Sequence, residues 1–242
     1  MNLKNTRSWA PHGHALLSYW DGNTEACIRI QMDDGSVTQM PIGIYFRTEQ
    51  DFPEIEKIAL ELCKGSILDI GAGAGSHCLA LQAKGHEVLG LDIAPEAVEI
   101  MKKQGVNKAF CGDFLAFDPG YTFDTLLLLM NGIGIAGNLE GLSNYLTQAH
   151  LLTHTKSQLI LDSSDLRYGE IELDPNANYF GEINYQLSFD GKEGAPYQWL
   201  YIDQEKLIEV ALQNGWSCEI IYEQEDGSYL ARLLKSEKSN KP

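Results

Sequence analysis

The stretch Ser66-Ile-Leu-Asp-Ile-Gly-Ala-Gly-Ala-Gly75 decides the fold of this chain. Its first half, residues 66–70, is a short and largely apolar run, which is typical of a buried strand. Its second half is rich in glycine, and a helical pattern follows over residues 75–84. A strand, a glycine-rich turn and a helix in this order predict a β-α unit in which the turn lets the backbone approach a ligand.

The alternation of strands and helices continues after this unit. Strands are predicted at 87–91, 108–112, 123–130 and 158–162, with helices at 95–104 and 139–152. The last two predicted strands, 216–222 and 228–234, are joined by the turn sequence Glu225-Asp-Gly227. We therefore expect a doubly wound α/β fold with a mostly parallel seven-stranded sheet and an antiparallel last strand.

Two further segments have the pattern of antiparallel hairpins. One surrounds Asp33-Asp-Gly35 and predicts an N-terminal β-hairpin extension, and the other surrounds Asp190-Gly-Lys-Glu-Gly194 and predicts an antiparallel β insertion after strand five. We expect these two segments to roof one pocket together. The expected N-terminal extension covers residues 1–52, and the main α/β domain covers residues 53–235. The insertion lies within that domain at 165–202, and a disordered tail is expected at 236–242.

The composition limits the partners of the chain. With 34 acidic and 18 basic residues, the net charge of −16 repels phosphate backbones and anionic membrane surfaces, so neither nucleic acid nor a membrane is an expected partner. The five cysteines are odd in number and form no Cys-x-x-Cys pair, which indicates reduced thiols in a cytoplasmic protein. His150 and His154 are four residues apart in a helical pattern, but no third ligand is evident and no metal is expected.

Two carboxylates follow strands of the predicted sheet. Asp92 ends the second strand of the unit, about 20 residues after Gly71, where an acid accepts hydrogen bonds from both hydroxyls of a ribose. Asp113 follows the third strand, although aspartate also caps turns at such positions. The glycine turn and Asp92 together predict a site for a cofactor that contains adenosine.

The spacing of the glycines distinguishes two kinds of cofactor. A dinucleotide fingerprint requires glycine or alanine at the position of Ser76, and this chain instead has evenly spaced glycines at Gly71, Gly73 and Gly75. Asp69 is unfavourable beside a pyrophosphate, but it can accept a hydrogen bond from a cationic amino group. These features favour S-adenosylmethionine over a nicotinamide dinucleotide.

The segment Leu68-Asp-Ile-Gly-Ala-Gly-Ala-Gly75 resembles the first motif of the class I S-adenosylmethionine-dependent methyltransferases, and the pattern of elements is similar over roughly residues 54–234. The resemblance implies a Rossmann-like fold and S-adenosylmethionine as cofactor. It implies that Asp69, Gly71 and Gly73 contact the methionine part of the cofactor and that Asp92 contacts the ribose. It also implies that Asp113 and Phe114 lie at the adenine and that Asn131 lies beside the methyl group. Ala72, Gly75 and Ile93 are expected to bind the cofactor beside them.

Two other segments refine the resemblance. Family members that methylate exocyclic base nitrogens usually carry Pro-Pro and an aromatic residue after the Asn or Asp of this motif, whereas Asn131 is followed by Gly-Ile-Gly. This difference argues against a nucleic-acid methylase. The segments 45–47 and 162–165 are also similar to those of a bacterial group of methyltransferase-like proteins.

The acceptor side of the site is predicted from position alone. Residues after strands four and five lie at the carboxyl edge of the sheet, where open α/β sheets bind ligands. The candidates for a general base are Asp162, Asp165 and Tyr201, and the candidates for substrate contacts are Tyr45, Arg47, Ser163 and Trp199. Turn formation and core packing are alternative roles for the same residue types.

The expected function is in-line transfer of a methyl group from S-adenosylmethionine to a small molecule. Two alternatives are an NAD(P)-dependent oxidoreductase, which the serine at position 76 disfavours, and a non-catalytic S-adenosylmethionine-binding protein.

Overall fold

The computed structural model describes residues 3–168 and 179–236. The six helices of these ranges are α1 (Leu3–Trp20), α2 (Glu54–Leu62), α3 (Ser76–Ala83), α4 (Pro95–Gln104), α5 (Leu139–Leu151) and α6 (Gln204–Gln213). The strands are β1 (Cys27–Met32), β2 (Val37–Pro41), β3 (Ser66–Ile70), β4 (Glu87–Asp92), β5 (Lys108–Cys111), β6 (Phe123–Leu128), β7 (Thr153–Ser164), β8 (Glu182–Phe189), β9 (Lys192–Glu193), β10 (Tyr197–Leu200), β11 (Trp216–Glu223) and β12 (Ser228–Lys235). The predicted disordered tail lies outside the described residues except for Ser236, and so does part of the predicted insertion.

The larger sheet has seven strands in the order β11-β12-β7-β6-β3-β4-β5. Strands β3 to β7 are parallel, whereas β12 is antiparallel to both of its neighbours, β7 and β11. Two apolar clusters cover the sheet: α2, α3 and α4 contribute to one, and α5 and α6 contribute to the other. This arrangement confirms the predicted doubly wound α/β fold with an antiparallel last strand.

The N-terminal hairpin and the insertion form a second, antiparallel sheet. Its order is β10-β8-β1-β2, and the short strand β9 also pairs with β8. Strand β1 pairs with β2 of its own hairpin and with β8 of the insertion, with Ile30 opposite Leu187 in the second pairing. The two predicted additions to the fold are therefore one structural layer.

Helix α1 was not anticipated in the sequence, because the segment 1–52 was predicted only to contain a hairpin. The helix packs between the second sheet and α4, and Ala15 and Leu16 are fully buried there. The packing is close, since a Cβ atom at Gly13 would lie 2.6 Å from Glu96 Oε2. Pro11 lies inside this helix, and proline is disfavoured in helix interiors, so the sequence argues against a helix here.

The predicted helix that would hold both His150 and His154 ends before the second histidine. Helix α5 ends at Leu151, and His154 lies in β7, where its Nε2 atom is 3.0 Å from Asp124 Oδ1. His150 Nε2 instead contacts the carbonyl oxygen of Asn214 at 2.7 Å. Separately, none of the helices in the described ranges combines the length and apolarity needed to cross a bilayer.

Candidate active site

A cavity of about 350 Å³ opens at the carboxyl ends of β3, β4, β5 and β6. One side is lined by the glycine turn and by the loops after β4 and β5, and we name residues 69–73, 91–94 and 112–115 the cofactor half. The other side is lined by α1, by the segment after β2 and by β10. We name its ring-bearing residues the aromatic half: Trp9, His12, Tyr45, Tyr197 and Trp199.

The even spacing of the three glycines reflects the backbone of the turn. Gly71, Gly73 and Gly75 have φ values of +73°, +55° and +93°, in the left-handed region that glycine enters at little cost. The Gly71 and Ala72 N–H groups both donate to the carbonyl oxygen of Leu91, at 2.8 and 3.1 Å. Gly71, Ala72 and Gly73 line the cavity, whereas Gly75 caps the start of α3 and is not among the lining residues.

Asp92 holds the glycine turn and the start of α4 together. Its Oδ2 atom accepts a hydrogen bond from the Gly73 N–H at 2.9 Å, and Oδ1 accepts one from the Ala94 N–H at 2.8 Å. Burial raises the pKa of Asp92 to about 6, and the hydrogen bonds from Ala94 and Gly73 oppose that rise. A carboxylate has about four acceptor sites, so Asp92 retains acceptor capacity for a pair of hydroxyl groups.

Asp69 is the second acid of the cofactor half. It is 2% exposed, and its Oδ2 atom accepts a hydrogen bond from Cys78 Sγ at 3.1 Å. Burial raises the pKa of Asp69, whereas the nearby His77 and the Cys78 hydrogen bond lower it. A buried carboxylate in this position is suited to a cationic partner.

Arg47 lines the cavity, but its guanidinium group is already paired. Nη2 donates to Glu56 Oε1 at 2.8 Å, and Nε donates to the carbonyl oxygen of Ile44 at 2.7 Å. His77 Nε2 is 2.8 Å from the other oxygen of Glu56. Burial raises the pKa of Glu56, but the hydrogen bonds and charges of His77 and Arg47 outweigh burial and leave it below its usual value. Arg47 is therefore part of a buried ionic network.

The predicted adenine residues also line the cavity. Asp113 Oδ1 accepts a hydrogen bond from the Leu115 N–H at 3.0 Å, which caps a short 3₁₀ helix over Phe114–Ala116. The Phe114 ring packs against Tyr145 of α5, with 4.9 Å between the ring centroids. The cap role and the lining position of Asp113 are thus compatible, although the sequence presented them as alternatives.

The turn after β6 has an unusual backbone. Met130 and Asn131 have φ values of +62° and +54°, which are uncommon for residues other than glycine. Asp162 stabilises this turn, because its two oxygens accept hydrogen bonds from the N–H groups of Asn131 at 2.7 Å and Met130 at 3.1 Å. Burial raises the pKa of Asp162 to about 7. Among these three residues, only Met130 lines the cavity.

Asn131 and Ser163 join the sheet to the insertion. The Asn131 side chain donates to the carbonyl oxygen of Leu200 at 3.1 Å and accepts from Ser163 Oγ at 2.9 Å. Ser163 Oγ in turn accepts from the Ile202 N–H at 3.0 Å. Their hydrogen-bonding groups are thus used within the fold.

None of the three candidate bases lines the cavity. Asp165 accepts a hydrogen bond from Arg167 at 2.7 Å and lines a different surface pocket with Tyr168 and Gln204. Tyr201 has its hydroxyl group 2.9 Å from that of Tyr185 and is not among the lining residues. The third candidate is Asp162, which is engaged by the turn.

The aromatic half is a continuous group of rings. The Trp9 ring lies 4.9 Å from Tyr197 and 5.4 Å from Trp199, and the His12 ring lies 4.6 Å from Tyr45, measured between centroids. The sequence prediction included Tyr45 and Trp199 as contacts but missed Trp9 and His12. Their spacing of three residues, which places both on one face of a helix, is a signal that could have indicated α1 but was not used.

Comparisons with known proteins agree with this geometry. Residues 67–150 match a family model described as a methyltransferase domain. A crystal structure of an S-adenosylmethionine-dependent methyltransferase from Bacteroides fragilis, in complex with S-adenosylhomocysteine, is 36% identical, with a TM-score of 0.88 over 96% of this chain and 97% of that chain.

More distant structures share the fold. The methyltransferase CcbJ from Streptomyces caelestis is 14% identical, with a TM-score of 0.61 over 78% of this chain and 94% of its own. The sugar N-methyltransferase KedS8 from a Streptoalloteichus species is 15% identical, with a TM-score of 0.58 over 84% of this chain and 96% of its own.

The chain belongs to the class I S-adenosylmethionine-dependent methyltransferases. Its cofactor is S-adenosylmethionine, and both the family assignment and the cofactor confirm the expectations from the sequence. The comparisons support neither an NAD(P)-dependent oxidoreductase nor a non-catalytic binding protein.

Proposed function

We propose that this methyltransferase transfers its methyl group to a small molecule that binds in the aromatic half. The observation that carries the proposal is that a single cavity joins the cofactor half to the aromatic half. Its volume of about 350 Å³ falls in the range of small-molecule sites. The net charge of −16 supports an acceptor other than a nucleic acid, and the free cysteines agree with a cytoplasmic protein.

The cofactor half fits S-adenosylmethionine in shape and charge. Gly71 has a φ of +73°, which is strained for any residue with a side chain, and a Cβ atom there would also displace Ile135 Cδ1, 2.6 Å away. We assign Asp92 to the ribose hydroxyls, Asp113 with Phe114 to the adenine, and Asp69 with Gly71 and Gly73 to the methionine part. Ala72 and Ile93 line the same half, and Gly75 acts through the backbone of the turn.

The chemistry requires positioning more than activation. The bound cofactor supplies a methyl group on a sulfonium sulfur, which a nucleophile attacks in line. The chain then has to orient the acceptor and exclude water, which is the task of the rings and of α1. We propose a positioning role for Asp162, because its oxygens hold the Met130–Asn131 turn, and we assign no base role to Asp165 or Tyr201.

Binding and turnover test this proposal together. We expect S-adenosylhomocysteine, but not NAD, to raise the melting temperature, since a ligand at 100 times its Kd adds about 2.7 kcal/mol. Asp92→Ala should weaken the binding of S-adenosylhomocysteine about 100-fold, because it removes two charge-assisted hydrogen bonds to the ribose. Asp118→Ala, which removes an exposed acid outside the cavity, should leave the affinity unchanged.

A methyl-release assay with pooled small metabolites, and separately with RNA, DNA and protein, tests the acceptor class. Release with small molecules alone supports the proposal. Release only with a polymer, or equal affinity of the Asp92→Ala and Asp118→Ala variants for S-adenosylhomocysteine, contradicts it.

A further inference from the structure

One side chain of the aromatic half has a hydrogen-bonding atom without a partner. His12 is 7% exposed and lines the cavity, and its Nε2 atom is buried without a hydrogen bond in the described part of the chain. A buried polar atom that lacks a partner destabilises a fold, so such atoms are rare and call for an explanation. A ligand in the cavity that pairs with this nitrogen supplies one.

The surroundings of His12 define the shape and polarity of that ligand. Tyr45 packs edge-on against the His12 ring, and Trp9 lies 6.0 Å away on its own helix. Tyr197 and Trp199 extend the surface of rings along β10. None of the residues of the aromatic half carries a fixed charge, so the ligand needs an apolar body and one polar group directed at His12.

The charge on that polar group is also constrained. An anionic group would be desolvated without a cation beside it, because the lining residue Arg47 is already paired with Glu56.

Methyl transfer moves a positive charge from the sulfur to the acceptor. Aromatic faces attract cations, so they bind the charged product-like state better than the neutral acceptor.

The nucleophile is constrained by the basicity of His12. Burial lowers the pKa of His12 to about 4, so its imidazole is neutral and is a weak proton acceptor. A hydroxyl group needs a base to remove its proton during attack, whereas a neutral amine attacks with its lone pair.

From these observations, and resting on the proposed function, we infer that the methyl acceptor is an amine on an apolar body, whose N–H donates a hydrogen bond to His12 Nε2 in the tautomer that carries its proton on Nδ1. The nitrogen lone pair forms the new N–C bond, and the C–S bond breaks with its electron pair on sulfur. The resulting ammonium group then releases one proton to water. His12 touches the substrate and orients the nitrogen toward the cofactor half.

The test uses the full chain with S-adenosylhomocysteine bound and measures ligand binding by NMR. The probes are sets of amines, alcohols and carboxylates with the same carbon skeleton, such as 2-phenylethylamine, 2-phenylethanol and phenylacetate. The variants are His12→Phe, which keeps a ring but removes Nε2, and His12→Gln, whose amide reaches the same region. His14→Phe, on the same helix but exposed, is the matched control.

We expect amines to bind more tightly than their matched alcohols and carboxylates. Amine affinity should fall about tenfold in His12→Phe, be largely kept in His12→Gln and be unchanged in His14→Phe, while the affinity for S-adenosylhomocysteine stays constant. The inference is overturned if alcohols or carboxylates bind as tightly as the matched amines. It is also overturned if amines bind His12→Phe as tightly as the unmodified protein, or if no amine binds. Failure of S-adenosylhomocysteine to bind the unmodified protein overturns the proposed function instead.

Discussion

The two halves of the cavity satisfy their buried polar atoms in different ways. In the cofactor half, both oxygens of Asp92 accept hydrogen bonds from the backbone, and the amides of the glycine turn donate to Leu91. In the aromatic half, His12 Nε2 has no such partner among the described residues. The cofactor half is therefore held in shape by the chain itself, whereas the aromatic half has a polar atom left for a ligand.

The two halves also differ in how the chain builds them. The cofactor half comes from one continuous stretch, residues 66–115, in which strands and turns alternate. The aromatic half combines α1, the segment after β2 and β10, which are far apart in the sequence. A shared cofactor requires only the first half to be alike among methyltransferases, so we assign the choice of acceptor to the second.

The largest expected effect comes from Asp162, because it supports both halves. It holds the turn of Met130, which lines the cavity, and of Asn131, which bonds to β10. Asp162→Ala leaves two N–H groups unpaired in a backbone with positive φ, and should lower the free energy of unfolding by about 3 kcal/mol. Urea denaturation monitored by circular dichroism measures this change.

The neighbouring acid provides a control for that experiment. Asp165 is buried but, within the described residues, holds a single backbone N–H, that of Arg167, and its ionic partner Arg167 is half exposed, so Asp165→Ala should cost less, about 1.5 kcal/mol. An equal loss of stability in the two variants would show that Asp162 does not hold the two halves together in the manner described.

The second prediction perturbs only the aromatic half. A Cβ atom at Gly134 would overlap with the indole ring of Trp199, so Gly134→Ala forces that ring to move. We expect a loss of about 2 kcal/mol in stability, as for other overpacked sites, and an altered tryptophan fluorescence spectrum. Affinity for S-adenosylhomocysteine, measured by calorimetry, should stay within about twofold, because Gly134 lies outside the cofactor half.

A double-mutant cycle assigns the effect to the ring. In a Trp199→Leu background, Gly134→Ala should cost less than it does in the unmodified protein, because the smaller side chain leaves room for the new methyl group. If the two costs are equal, the clash with Trp199 is not the cause.

The same difference between the halves explains what the sequence revealed. The strands and helices between Ser66 and Gln104 were predicted within about one residue, because apolar runs, glycines and Pro95 act locally. Helix α1 was missed because contacts with α4 and the second sheet stabilise it despite Pro11. The edge of the sheet that carries Asp162 was predicted, but the direction of its side chain depends on the Met130–Asn131 turn.

The third prediction uses the ionisation of Asp92. Its pKa of about 6 means that the carboxylate, the form that we assign to two ribose hydroxyls, is lost at lower pH. Affinity for S-adenosylhomocysteine should fall about tenfold between pH 7.5 and pH 5. Calorimetry at constant ionic strength measures this fall, and Asp92→Asn should abolish the step. A similar step in the variant would assign it to another group.

Unfolding does not account for that loss of affinity. Because burial raises the pKa of Asp92 in the folded protein, its contribution to stability is present at acid pH and is lost as the pH rises from about 4 to about 6. Lowering the pH therefore stabilises the fold through this group while it weakens cofactor binding, so the two effects have opposite signs and are separable.

The smallest expected effect concerns a side chain that joins the aromatic half to the end of the glycine turn. Ser76 Oγ donates to the carbonyl oxygen of Tyr45 at 2.6 Å, and thereby ties the aromatic half to the start of α3. Ser76→Ala removes this bond and should cost about 1 kcal/mol in stability, as measured by urea denaturation. It also completes a Gly-x-Gly-x-x-Ala pattern, which is the fingerprint of dinucleotide enzymes.

That substitution separates two explanations of the serine. If Ser76 serves to join the halves, Ser76→Ala should bind S-adenosylhomocysteine with nearly unchanged affinity and still show no thermal shift with NAD. If the variant instead gains a shift with NAD, the serine itself selects the cofactor. We expect the first result, because Asp69 remains behind the glycine turn, and a buried carboxylate there disfavours a pyrophosphate whatever residue occupies position 76.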